Sequence, residues 1–205
     1  MAGPHAHDDN GQHDVTPTDA PTAGIGLYFG TQTGKTEQVC GYIKAEFGDA
    51  ITDAIDVAEG DLEHFPNLNG LICGIPTWNT GALELRSGTV WDDLLEKIGE
   101  LDLKGKPVAL FGLGDSVGYG EDFVDAMEEL HRFFEKAGAK MVGYVPLEGY
   151  NFVSSRCLIP HLNEITEPDN GEKFCGLPVD EDSEGELTEE RVKNWCTQVK
   201  SEMGL

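Results

Sequence analysis

The sequence predicts an α/β chain built on a doubly wound, five-stranded parallel sheet with helices on both faces. Three observations carry that expectation. Short apolar runs recur and alternate with stretches of helical spacing. Several of the runs are apolar at successive positions, as in strands covered on both faces. The runs also end at glycine or proline, where right-handed crossovers can turn.

Ile25 to Phe29 is the first run, closed by Gly30. Residues 35–47 place Val39, Tyr42, Ile43 and Phe47 at helical spacing. Residues 51–57 alternate as a second strand, and Gly70 to Ile75 form a third, stopped by Pro76. Residues 89–98 predict a helix with Val90, Leu94, Leu95 and Ile98 on one stripe. Pro107 to Leu113 is the fourth strand. Residues 121–137 form an amphipathic helix with Phe123, Met127, Leu130 and Phe134 inward, and Lys140 to Val145 begin a fifth strand. The final helix covers about 189–203, with Val192, Trp195, Cys196, Val199 and Met203 on one face. Thr188 is its expected N-cap, and Glu189 and Glu190 suit its positive start. Residues 146–187 have poor periodicity, and so long a connection in a compact domain needs a reason.

Composition narrows the function. A chain of 205 residues supports one domain with a substantial core. Residues 1–23 contain Asp8, Asp9, Asp14 and Asp19, three prolines and no Lys or Arg, and are expected to be a disordered leader or tag before a domain at 24–205. They have neither the basic start and apolar core of a secretory signal nor the acid-free, Arg-rich make-up of a transit peptide. Thirty-eight acidic against 14 basic side chains leave a net charge of −24. Such a surface repels nucleic acid and steers encounters with oppositely charged partners. No apolar stretch approaches the roughly 20 residues that span a bilayer, so a soluble chain without membrane insertion is expected. The five cysteines are odd in number and form no C-x-x-C, which reads as free thiols of a reducing compartment. No zinc-ligand spacing occurs, and no metal is expected.

Three loops that follow predicted strands carry the chemistry. The first is Gly30-Thr31-Gln32-Thr33-Gly34-Lys35-Thr36, before the first helix. Its glycines let the backbone curl, its threonines offer hydroxyls, and its amides join the helix's positive end in a nest for phosphate. A Walker A loop would need glycine at position 29, which is Phe. The second is Pro76-Thr77-Trp78-Asn79-Thr80-Gly81, where Trp78 suits either packing or an aromatic clamp. The third is Gly112-Leu113-Gly114-Asp115-Ser116-Val117-Gly118-Tyr119-Gly120, which misses G-x-G-x-x-G by one residue and so argues against a dinucleotide site. Together they predict one site: a phosphate nest and two aromatic faces, suited to a flat conjugated ligand.

On the motifs GTQTGKT, PTWNTG, GDSVGYGEDFVDAM, VGYVPLEGYNF and KSEMGL, the chain from about Gly24 to Leu205 resembles the flavodoxin family, in its long-chain, cyanobacterial or algal form. The resemblance implies strand order 2-1-3-4-5 and assigns the irregular 146–187 stretch to the long-chain insertion. It implies FMN as cofactor: Thr31, Gln32, Thr33, Gly34, Lys35 and Thr36 on the phosphate, Trp78 on the inner ring face and Tyr119 on the outer. Thr77 and Asn79 would follow the ribityl chain and ring edge, and Asp115 the pyrimidine edge. The Asn79–Thr80 peptide would reorient toward the ring's N5, and Gly81, Gly114 and Asn151 would complete the contacts. The implied activity is one-electron carriage between semiquinone and hydroquinone, by a monomer in bacterial cytoplasm or plastid stroma. Implied partners are basic-faced redox proteins such as ferredoxin–NADP reductase and photosystem I. The alternative is an FMN-dependent NAD(P)H:quinone oxidoreductase, which Tyr119 disfavours by filling the space a nicotinamide needs. The chain departs from the family pattern at Asn151, Ser116 and Thr80, and its 82–90 stretch is a few residues longer.

Overall fold

Five apolar runs become the frame of one sheet. The computed structural model describes residues 24–169 and 171–205; the leader expected at 1–23 lies outside the described residues. Along the chain come β1 (Ile25–Phe29), α1 (Lys35–Phe47), β2 (Ile51–Asp56), β3 (Gly70–Pro76), α2 (Trp91–Glu100), β4 (Pro107–Leu113), α3 (Ala126–Lys136) and β5 (Lys140–Val142). Four short strands follow, β6 (Val145–Pro146), β7 (Leu158–Ile159), β8 (Lys173–Phe174) and β9 (Leu177–Val179), and then α4 (Gly185–Met203). The order is β2-β1-β3-β4-β5, with every pair parallel.

Burial explains the pattern. Every residue of β1 and β3 is buried, whereas the edge strand β2 is partly exposed. On one face, Trp91, Leu95 and Ile98 of α2 and Met127, Leu130 and Phe134 of α3 pack over Leu71, Cys73 and Leu110. On the other, Val39 and Ile43 of α1 and Val192, Trp195 and Val199 of α4 pack over Leu27, Ile72 and Phe111. All five cysteines are buried free thiols. Among the described residues, no helix is long and apolar enough to cross a membrane.

Strand five differs from its expected course. It stops at Val142 rather than Val145, because Gly143 turns the chain with φ +80 and its carbonyl accepts from Trp195 Nε1 at 2.8 Å. β5 pairs with Pro107–Ala109 of β4, and β9 returns later to pair with Phe111–Leu113. The fifth strand is therefore built in two pieces. Residues 143–176 form the insertion between them, in which β6, β8 and β7 make a small antiparallel sheet.

Three helix starts also move. α2 begins at Trp91 because Asp92 gathers the Ser87 amide, the Ser87 hydroxyl and the Gly88 amide at 3.2, 2.6 and 2.8 Å, which sets residues 87–90 as a turn. α3 begins at Ala126, after a 3-10 turn at Gly120–Asp122 and a Val124 with φ 55. α4 begins at Gly185, so Thr188 is buried in its first turn and does not cap it.

Two buried groups of α3 and its entry set opposing pH dependences. His131 is buried, with Nε2 2.9 Å from the Tyr144 hydroxyl, and burial lowers its pKa to about 4. It stays neutral in the fold while the unfolded chain takes up a proton below about 6.5. Its contribution to stability is therefore complete above that pH and is lost as pH falls toward 4. Asp125 is raised to about 6 by burial, against the opposing pull of the Arg156 amide and the Arg86 and Arg156 charges. Its contribution is complete below its ordinary 3.8 and is lost as pH rises through about 6. The expected result is that His131→Gln, which keeps a partner for Tyr144, removes about 2 kcal/mol of the stability change between pH 7.5 and pH 5. Urea unfolding of both proteins at the two pH values measures it; an unchanged difference contradicts the assignment.

Candidate functional site

The loop between β1 and α1 is left open for an anion. Gly34 stands at the N-cap with φ 84 and supplies no side chain, so α1 starts without a side-chain cap. The first-turn amides of a helix have no intrahelical acceptor and point outward with the positive end of its dipole. Thr31 Oγ1 accepts the Gly34 amide at 2.9 Å, which leaves the Thr31 proton to donate elsewhere. Lys35 Nζ pairs with Asp182.

Beyond β3, the second loop presents Trp78 with 46 % of its surface exposed. Its main chain is tied down, with the Trp78 and Asn79 amides both donating to the Arg86 carbonyl, at 3.1 and 3.0 Å. Beyond β4, the third loop presents Tyr119, 57 % exposed. Asp115 shapes that loop by accepting the Gly118 amide at 2.7 Å, the Val117 amide at 3.1 Å and the Ser183 hydroxyl at 3.1 Å. The Gly118 amide above all, with Ser183, Val117 and the Lys35 charge, outweighs desolvation and holds the Asp115 carboxyl below its ordinary value.

The three loops meet in one cavity at the carboxyl ends of β1, β3 and β4. It is lined by Thr31, Thr33, Lys35, Thr36, Pro76, Thr77, Trp78, Thr80, Leu113, Gly114, Asp115 and Tyr119, together with Asp122, Glu181 and Asp182. Ten of the fifteen expected site residues thus share it. Five do not line it. Gln32 Nε2 donates to the Gly88 carbonyl, and Gly34 bends the loop from behind. Asn79 spends its side-chain amide on the Leu85 carbonyl at 2.7 Å, and the Gly81 amide donates to Asp122 at 3.0 Å. Asn151 is exposed on the insertion.

Sequence reasoning missed Asp122, Glu181 and Asp182, which bring the carboxylates on the cavity to four against one lysine. It also missed Asp180. That buried carboxylate takes the Ser116 amide at 2.9 Å and hydroxyl at 2.6 Å, and the Asp182 and Ser183 amides at 3.0 and 2.8 Å. It therefore knots the third loop to the segment before α4. The only signal available was the cluster D-E-D at 180–182, directly after an apolar strand end.

The donor set fits a phosphorylated, planar group. Threonine hydroxyls and one ammonium line the cavity beside the uncapped start of α1, and the two exposed rings of Trp78 and Tyr119 line it too. Comparison with known proteins agrees. Residues 27–195 match the family described as Flavodoxin. The chain belongs to the flavodoxin family. It is 41 % identical over 181 residues to a flavodoxin of a Nostoc species, covering 88 % of this chain and 98 % of that protein. A Picosynechococcus flavodoxin is 42 % identical over 182 residues, with the same coverage. Among solved structures, Fusobacterium nucleatum flavodoxin bound to flavin mononucleotide superposes with a TM-score of 0.73 at 30 % identity, covering 87 % of this chain and 97 % of that one.

As a flavodoxin, the chain is an electron-transfer protein rather than an enzyme. The insertion that splits strand five makes it a flavodoxin of the long-chain type.

Proposed function

We propose that residues 24–205 form a single FMN-binding unit that carries one electron at a time at low potential. The observation that supports this most is the shared cavity: the open start of α1 and the rings of Trp78 and Tyr119 line the same space. Bound there, FMN supplies the redox chemistry, and the chain supplies position, dryness and charge. Lys35, the amides of the first α1 turn and the hydroxyls of Thr31, Thr33 and Thr36 hold the phosphate. Trp78 and Tyr119 exclude water from the two ring faces, and Thr77 and Thr80 border the space between. Gln32, Gly34, Asn79 and Gly81 act through the loop conformations they fix. Asn151, exposed on the insertion and outside the cavity lining, is given no role in holding the flavin.

The four cavity carboxylates disfavour added negative charge on the ring, and the Asp115 charge persists well below neutral pH. The same acidity attracts basic docking faces. Redox proteins with such faces, of the ferredoxin–NADP reductase and photosystem I kind, are the proposed partners, met by a monomer in bacterial cytoplasm or plastid stroma.

Anaerobic potentiometric titration of the FMN-loaded protein tests the reading. Two separated one-electron steps are expected, together with a flavin that NADPH alone leaves yellow. Rapid bleaching by NADPH without a reductase would instead identify a quinone-reductase activity and overturn the proposal.

A further inference from the structure

Arg86 lies in the connection between the Trp78 loop and α2, yet only 1 % of its surface is exposed. Its guanidinium sits between two equally buried carboxylates of α3, with Nη2 donating to Glu128 and Nε 3.4 Å from Glu129. Glu128 also pairs with Arg132 at 3.2 Å. Among the described residues, Arg86 Nη1 has no hydrogen-bond partner. Buried ion clusters of this kind are weak grounds for stability, because apolar side chains of similar volume often serve as well.

What this cluster fixes is backbone. The two oxygens of Glu129 accept the Leu85 and Arg86 amides, each at 2.8 Å. The Arg86 carbonyl in turn accepts the amides of both Trp78 and Asn79, and the Leu85 carbonyl accepts the Asn79 side chain. Leu85 is held in the left-handed region at φ 58, although its side chain is half exposed and gains little from burial. A leucine there costs on the order of 1 kcal/mol, so the conformation is imposed by the bonds around it. The chain of contacts is continuous: from α3, through Glu129, to the main chain of the residue whose ring walls the cavity.

We propose that Glu129 and Arg86 are positioning residues, which lock the Trp78–Asn79 main chain and thereby set how tightly the flavin is held and at what potentials it is reduced. The inference rests on the FMN reading above. It also assigns a task to the 82–90 stretch.

The test compares FMN-loaded wild type with Glu129→Gln, which keeps the volume but leaves one of the two amides without an oxygen. Amide hydrogen exchange at Trp78, Asn79, Leu85 and Arg86 is expected to quicken about tenfold, with the amides of β1 and β3 unchanged. The FMN dissociation constant should rise about tenfold, and the separation between the two midpoint potentials should change. A folded variant with unchanged exchange at Trp78 and Asn79 and unchanged potentials would overturn the proposal, leaving the cluster as a fastening for α3.

Should the variant fail to fold, exchange in the wild type decides. The four amides are expected to open together, at rates within about threefold of one another. Trp78 and Asn79 opening far faster than Leu85 and Arg86 would refute the lock. Because this readout needs no flavin, a wild type that exchanges as expected but binds no FMN would sink the cofactor reading and leave the lock standing.

Discussion

Replacing Trp78 with alanine is expected to weaken FMN binding by one to two orders of magnitude while leaving the fold intact. The ring is 46 % exposed, lines the cavity and belongs to neither core cluster, so its uncovered surface is available to a ligand there. Stacking of a planar heterocycle on an aromatic side chain contributes about 1–3 kcal/mol, which converts to roughly 10- to 100-fold in affinity. Against this, a half-exposed side chain outside the two core clusters contributes little to stability, and the expected change in unfolding free energy is within about 1 kcal/mol. The backbone of the loop is held by bonds to the Arg86 carbonyl that alanine retains. Isothermal titration with FMN and urea unfolding of the same preparation separate the two effects. A large stability loss with unchanged affinity would place Trp78 in the packing and not in the site.

The second large effect is electrostatic. Asp122 and Glu181 line the cavity, and the double variant D122N/E181Q removes two of its four negative charges while keeping side-chain length and the Asp122 oxygen that receives the Gly81 amide. Taking about 10 Å to the ring and an effective dielectric of roughly 40, each charge contributes about 0.8 kcal/mol against an added electron. That is about 35 mV for a one-electron couple, so the double variant should raise the lower midpoint potential by about 70 mV. The shift should shrink as salt rises and the Debye length falls below that separation. Potentials that do not move, or that move equally at low and high salt, would show that charge at the cavity is not what sets them.

Much of this was legible in the chain because burial on both faces leaves little freedom in composition. Ile25–Phe29, Gly70–Pro76 and Pro107–Leu113 had to be apolar at successive positions, and their ends mark where the three loops begin. The loops themselves were readable because glycine, threonine and an aromatic in a polar setting have few other uses. The parts that were not legible depend on pairing across long sequence separations. Glu128 and Glu129 have the composition of a solvated helix face, and their partners at Leu85 and Arg86, more than 40 residues away, turn them inward. Asp180 looks like a helix-start acid, yet it binds Ser116 from 64 residues away. Strand five was read three residues too far, to Val145, and its second piece, Leu177–Val179, was not legible because it lies across an insertion whose two-residue strands have no periodicity to detect.

The most direct measurement is a fluorescence titration of flavin-free protein with FMN and, separately, with riboflavin. A phosphate nest and two flanking rings predict one FMN per chain with its emission quenched, and riboflavin bound far more weakly because it cannot use the start of α1. Equal affinity for the two flavins, or FMN emission that stays unquenched at saturating protein, would contradict the account.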